Sequence, residues 1–200
     1  MRIRLFDISL SFILIITFLP LMLLLIVLCA ALIGFPPLYV SKRLGKLGKE
    51  YTHIKFKSMM SGPELGRVFF EQDRINGFGR FIRKFHLDEL PELFLILAGK
   101  MSFVGPRALP RDVLKDLNCE RRSKVVPGLT CLAQIQLLKT GQLDKYLQIR
   151  LDNLYIVKRS LIFNLTILVA TMRYFFRGKK RNLNPLLNEQ RIRFKDEHCV

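Results

Sequence analysis

The sequence predicts an α-rich α+β fold, in which an N-terminal re-entrant membrane helix-hairpin precedes a single cytosol-facing domain with interfacial amphipathic helices and a short sheet. Three features predict it: an uncharged apolar run near the N-terminus, an alternating polar and apolar segment at 51–60, and apolar stripes at helical spacing farther along. With 200 residues, the chain holds one compact domain plus a membrane element, because a second full domain would leave both cores small. The expected division is a membrane segment with flanks at 1–41, a domain carrying the candidate chemistry at 42–172, and a basic tail at 173–200.

The membrane segment follows from the absence of charge between Asp7 and Lys42, with Ile8 to Ile33 almost wholly Leu, Ile, Phe, Val and Ala. At 1.5 Å per residue, about 26 residues reach roughly 39 Å, enough to cross a 30 Å hydrocarbon core. Pro20 stands near the middle, where it removes a backbone donor and crowds the preceding turn, so a kink or break is expected there. Basic residues flank both ends: Arg2 and Arg4 before, and Lys42, Arg43, Lys46 and Lys49 after. Because basic flanks prefer the cytoplasm, the pattern favours a hairpin that enters and leaves on one side over a kinked spanning helix. A cleaved signal is disfavoured, since the run exceeds an ordinary signal core and Val27-Leu28-Cys29 lacks the small residues of a cleavage site.

Charge narrows the partners. Lys and Arg number 33 against 16 Asp and Glu, a formal +17, in a chain of which half is hydrophobic. An anionic leaflet and a nucleic acid both attract such a surface, but no nucleic-acid motif is present, so anionic membrane lipids are the expected partner and nucleic acid is not. The four cysteines (Cys29, Cys119, Cys131, Cys199) are widely spaced without a CxxC pair or His cluster, which reads as reduced thiols without zinc.

Beyond the membrane segment, Tyr51 to Met60 alternates and predicts a short strand with Ile54, Phe56 and Ser58 on one face. Ser61-Gly62-Pro63 and Asn76-Gly77 are turn signals. Phe78, Phe81, Ile82 and Phe85 recur at helical spacing with Arg80, Arg83 and Lys84 on other faces, an amphipathic helix for the core or for lipid headgroups. A further helix is expected from near Asp88, with Pro91 in its first turn, a Leu90, Leu93, Phe94, Leu97 stripe, and Gly99 at its end. Gly105-Pro106 and Pro127-Gly128 read as turns. Leu147, Leu151, Leu154 and Tyr155 place Asp152 near a helix, and Leu161 to Met172 is apolar but too short to span. The tail after Met172 is basic and reads as lipid-bound or mobile.

Asp88-Glu89 sets two carboxylates side by side at an expected helix start, where an acid ordinarily caps backbone N–H groups. Arg80, Arg83, Lys84 and His86 precede the pair and Lys100 and Arg107 follow it. Such cations suit a phosphorylated substrate, against which a carboxylate can act as nucleophile.

Several blocks together resemble the bacterial sugar transferase family, the monotopic phosphoglycosyl transferases. They are Lys55-Phe56-Lys57-Ser58-Met59, Asp73-Arg74-Ile75, Gly79-Arg80-Phe81-Ile82-Arg83-Lys84, Leu87-Asp88-Glu89-Leu90-Pro91-Glu92-Leu93-Phe94 and Gly99 to Arg107. Pro127-Gly128-Leu129-Thr130, Ala133-Gln134, Asp152 and the apolar segment containing Pro20 continue the match, which covers residues 5 to 170. The resemblance implies transfer of a sugar phosphate from a UDP-sugar donor to undecaprenyl phosphate at the cytoplasmic face of the bacterial inner membrane, with Asp88 as nucleophile. It implies Glu89 as the dyad's partner, Mg2+ held at Asp88 and Glu89, and substrate contacts from Arg43, Lys57, Arg80, Arg83, Arg107, Gln134 and Asp152.

The sequence also departs from the family pattern. Lys100 replaces an Asp, Val126 an Arg, and Cys131-Leu132 a Gly-Trp. Gln136-Leu137-Leu138 stands where Asn-Gly-Arg is usual, Asn164 replaces an Asp, and Leu19 replaces the Ser before the hairpin proline. These changes put donor recognition in question and motivate an alternative, a catalytically weak membrane scaffold of a glycan-assembly pathway.

Overall fold

The computed structural model describes residues 1–60, 74–109 and 120–177. Helix α1 (Arg2–Leu32) is uninterrupted and contains Pro20, so the proline does not split the segment into two helices as its missing donor suggested. The reason lies in packing. Asp7, Ser11, Ile15, Met22, Leu25 and Cys29 form a buried stripe along the helix, whose contacts on both sides of Pro20 outweigh one lost hydrogen bond. The opposite face leaves Phe12, Ile13, Ile16, Leu23, Leu24 and Val27 exposed. Among the described residues, α1 is the one helix long and apolar enough to cross a membrane by length and composition.

Both ends of α1 are tied to the rest of the chain. Arg4 donates from Nη1 to the Ile96 carbonyl at 2.5 Å and from Nη2 to Leu97 at 2.6 Å, and Asp7 Oδ1 accepts from the Phe103 amide at 3.2 Å. At the far end Asn76 Nδ2 donates to the Leu32 carbonyl at 2.7 Å.

Strands β1 (Leu38–Leu44) and β2 (Glu50–Phe56) form an antiparallel pair in which Val40 faces Ile54 and Arg43 faces Tyr51. β1 was not legible in the sequence, and it crosses the expected boundary after residue 41. β2 buries side chains on both faces: Phe56 on the face that the alternation marks, and Tyr51 and His53 on the other, which Lys55 shares. That second face carries ion-pairing side chains against the neighbouring carboxylates.

Helix α2 (Gly77–Lys84) is capped by Asn76, whose Oδ1 accepts from the Gly79 amide at 2.7 Å. Ile82 is fully buried while Phe81 and Phe85 remain exposed, the amphipathic pattern the spacing predicts. His86 then adopts a left-handed φ of 53°, and a single 3-10 turn (Leu87–Glu89) precedes helix α3 (Glu92–Leu97). The helix expected from Asp88 therefore starts four residues later, and Asp88 lies on the turn. Gly99 ends the segment as predicted, at φ +77°, with the Arg4 guanidinium 3.2 Å from where a Cβ would stand.

Strand β3 (Ser102–Val104) pairs in parallel with β4 (Gly128–Thr130). Pro127-Gly128, read as a turn, thus opens a strand. The two backbones approach so closely that a Cβ on Gly128 would fall 2.0 Å from the Gly105 amide nitrogen. Helix α4 (Glu120–Ser123) precedes β4, and α5 (Leu132–Thr140), α6 (Lys145–Lys158) and α7 (Leu161–Arg177) complete the chain. Asp144 caps α6 by accepting from the Leu147 amide at 2.7 Å.

Helix α7 continues past the expected boundary at 172 and takes in Arg173. It buries Asn164 and Ile167 and exposes Ile162, Leu165, Val169 and Met172, a one-sided apolar surface matching the interfacial expectation. The core joins Ile82, Ile96, Met101, Val104 and Ile167. Cys29 and Cys131 are free and buried. Ser61-Gly62-Pro63, Asp73, Cys119, Cys199 and the tail from 178 lie outside the described residues.

Candidate active site

The first two strands, α3 and the β3–β4 unit enclose a cavity of about 370 Å³, within the range of small-ligand sites. Its charged wall comes from four elements: Arg43 on β1, His53 and Lys55 on β2, Glu89 on the 3-10 turn and Glu92 at the start of α3. Arg107, Gln134 and Gln148 line other parts.

Lys55 is the hub. Its Nζ stands 2.5 Å from Glu89 Oε1 and 3.0 Å from Glu92 Oε1, and His53 Nε2 is 3.2 Å from the same Glu92 oxygen. Burial opposes the charge on Lys55, but Glu89 and Glu92 together outweigh it and hold the pKa above its usual value. Glu92 is 2% exposed, a burial a carboxylate accepts only when paired.

Asp88 is half-buried on the adjoining turn and does not line this cavity. Burial raises its pKa first and the Glu89 charge second, while Lys55 and His86 pull it back. Glu89, by contrast, faces the cavity, and its other oxygen is 3.7 Å from His86 Nδ1. Glu89 thus lines the cavity, and Asp88 sits beside it on the same turn, close enough for the Glu89 charge to act on it.

Of the other residues the sequence singled out, Arg43, Arg107 and Gln134 line the cavity, and Lys57, Arg80, Arg83 and Asp152 do not. Arg80 is exposed, and Arg83 Nε donates to Ser58 Oγ at 2.7 Å. Asp152 is 2% exposed and faces Arg122 Nη2 at 3.2 Å. Burial pushes its carboxyl up to about 6 against the pull of Arg122. The same Arg122 nitrogen donates to the Arg107 carbonyl at 2.6 Å, so Asp152 and Arg122 brace the segment that presents Arg107.

The sequence reading missed His53, Lys55, Glu92 and Gln148 as cavity residues. Lys55 and Glu92 stood in quoted motifs, yet Lys55 lies on the face of β2 opposite the apolar one, and the apolar stripe of α3 drew attention from the second. The departures fall elsewhere: Lys100, Val126, Cys131, Leu132 and Asn164 do not line the cavity. Asn164 Oδ1 accepts from the Tyr155 hydroxyl at 3.1 Å, and that hydroxyl also reaches the Val104 carbonyl at 2.7 Å. Cys131 caps α5, its Sγ accepting from the Gln134 amide at 3.3 Å, with the thiol pushed up to about 11 chiefly by burial.

Among the described residues no group of three His, Cys, Asp or Glu side chains converges as a metal cage. Mg2+ needs none when substrate phosphates and water complete its shell, since one or two carboxylates then suffice. Asp88 and Glu89 fit that donor set.

A carboxylate dyad beside a cavity with a charged wall, in a chain with a long apolar helix, fits a membrane-associated enzyme. The bacterial sugar transferase family model matches residues 1–178, and the chain belongs to that family and is a phosphoglycosyl transferase. It is 37% identical over 145 residues to the uncharacterized sugar transferase EpsL of Bacillus subtilis, covering 70% of each chain. To the exopolysaccharide production protein ExoY of Sinorhizobium fredii it is 30% identical over 189 residues, 84% of this chain and 83% of the other. It is also 33% identical over 166 residues to the undecaprenyl-phosphate galactose phosphotransferase of Salmonella typhimurium, covering 72% of this chain but only 34% of that protein.

Proposed function

We propose that the protein transfers a phosphosugar from a UDP-sugar to undecaprenyl phosphate and so begins assembly of a surface glycan at the cytoplasmic face of the inner membrane. The observation that carries this reading is the placement of Asp88. Its half-buried carboxylate adjoins Glu89 on the turn, where Lys55 and His86 oppose its protonation.

In the first step a carboxylate oxygen of Asp88 attacks the sugar-linked phosphorus, and the bond from that phosphorus to the bridging oxygen breaks. UMP leaves with the electron pair. In the second step a phosphate oxygen of undecaprenyl phosphate attacks the same phosphorus and returns Asp88 to its carboxylate form. Dividing the displacement this way lets one site serve a soluble donor and a lipid acceptor in turn. Arg43 and Arg107 on the cavity wall offset the donor's diphosphate charge, and Lys55 holds Glu89 in register beside Asp88. Bound Mg2+ at Asp88 and Glu89 would neutralise phosphate charge.

The membrane arrangement is supported by the two ends of α1. Arg4 and Leu32 lie at opposite ends of a 31-residue helix about 46 Å long by ideal rise, and both bond to the same domain. A helix so tied along its length returns its flanks to one face more readily than it separates them. The scaffold alternative stays distinct from this reading because it predicts no UMP release from any donor.

The test is a screen for UMP release by the full-length protein in lipid nanodiscs, across UDP-sugars, with undecaprenyl phosphate and Mg2+. Release from at least one donor is expected, and release from none overturns the reading.

A further inference from the structure

Two shielded hydrogen-bond donors on the cavity wall have no partner among the described residues. They are Nε of Arg43, on β1, and Nε2 of Gln148, on α6, and both side chains line the cavity. Shielded polar groups in folded proteins are almost always paired, because each one left unpaired costs about 1–3 kcal/mol. Where such groups belong to side chains that line a cavity, a ligand that reorders those side chains can supply the missing acceptor.

Gln148 differs in kind from the charged wall. Lys55, Glu89 and Glu92 neutralise one another, whereas Gln148 brings a neutral carboxamide. A carboxamide gains little on a phosphate compared with Arg or Lys, but it matches a neutral oxygen such as a carbonyl or hydroxyl. Its presentation is rigid. One turn further along α6, Asp152 pairs with Arg122, which holds the Arg107 carbonyl, so the helix carrying Gln148 is locked to the segment carrying Arg107.

We propose that Gln148 binds the neutral oxygen-bearing part of the nucleotide-sugar donor, a pyrimidine carbonyl or a sugar hydroxyl, and thereby sets donor affinity and choice. The inference rests on the donor reading above. Gln148 forms the recognition side of the cavity, and Lys55 and Arg107 lie on its charged side.

The test uses the full-length protein in nanodiscs with Gln148→Met, which keeps length without polarity, and Gln148→Glu, which sets a carboxylate against the ligand's oxygen. Donor KM and kcat are measured at saturating undecaprenyl phosphate, together with product inhibition by UMP. Loss of one neutral hydrogen bond predicts a KM about fivefold to tenfold higher for Gln148→Met with kcat nearly unchanged. Gln148→Glu should be worse. If the contact is to the base, the UMP inhibition constant rises by the same factor as KM. If it is to the sugar, the UMP constant holds while discrimination between epimeric UDP-sugars narrows. Variants with wild-type thermal midpoints and unchanged KM, UMP inhibition and donor preference overturn the inference. Wild-type inactivity toward every UDP-sugar would instead remove the donor reading on which it stands. Should Gln148→Glu fail to fold, Gln148→Met decides alone.

Discussion

Replacing Lys55 by Met removes the one cation shared by Glu89 and Glu92, and the structure sets the size of the consequence. Side-chain exposure is 27% for Lys55, 23% for Glu89 and 3% for Glu92, so Glu92 is the group that cannot turn to water. Breaking a buried pair from one side costs about 3–5 kcal/mol. The partial exposure of Lys55 and Glu89 discounts that figure, and His53 remains 3.2 Å from Glu92, so the low end applies, about 3 kcal/mol. For a chain of this size the thermal midpoint should fall by about 6–12 °C. A second effect has a definite sign. Lys55 lowers the Asp88 pKa, so its removal raises that pKa further, and the acid limb of the activity profile moves to higher pH. Thermal unfolding in nanodiscs and UMP release against pH read the two effects. A midpoint within about 2 °C of wild type, or an acid limb that stays in place or moves down, refutes the assignment of Lys55 as hub.

Asp152 makes a pH prediction of its own. Its folded pKa, raised to about 6 from 3.8, means that the stability it contributes is full below pH 4 and lost as pH rises through 6. The loss is on the order of 3 kcal/mol, and Asp152→Asn should flatten that part of the midpoint-versus-pH curve even though it weakens the pairing with Arg122. Gly128→Ala would drive a Cβ to 2.0 Å from the Gly105 amide, so it should part β3 from β4, release the Arg107 segment and abolish activity, as a combined unfolding and UMP-release assay would register. Cysteines placed at Ile3 and Gly45 should share the same accessibility to a membrane-impermeant reagent. Labelling of Ile3→Cys from the outer side alone would show that α1 spans.

What the sequence made legible, and what it hid, divides along physical lines. Apolar periodicity found α2, α6 and α7, and glycine marked the end of α3, because each signal is local. The β1–β2 pair was half seen, since β1 carries Lys42 and Arg43 within an apolar context that read as a basic flank. β3 and β4 are three residues each, too short to establish a period, and their pairing depends on two glycines far apart in sequence. Pro20 was overread: one missing donor is a local cost, and the buried stripe that outweighs it exists only after folding. Within the site, motifs delivered Asp88, Glu89, Arg107 and Gln134, and the family resemblance added Arg43. Proximity across elements, which composition cannot express, brought in His53, Lys55, Glu92 and Gln148. The same limit explains Asp152, whose place in a motif suggested substrate contact while the fold pairs it with Arg122.

The central claim is that Asp88 carries the phosphosugar between donor and acceptor, and one measurement meets it directly. The protein is incubated with a UDP-sugar and Mg2+ without acceptor, quenched in acid and digested with trypsin. Cleavage after Lys84 and Lys100 isolates the peptide 85–100, which holds Asp88 together with Glu89 and Glu92. The account predicts a mass increase of one phosphosugar on that peptide, located by fragmentation to Asp88, discharged on adding undecaprenyl phosphate, and missing in Asp88→Asn. A phosphosugar on another residue, or full turnover by Asp88→Asn, would contradict it.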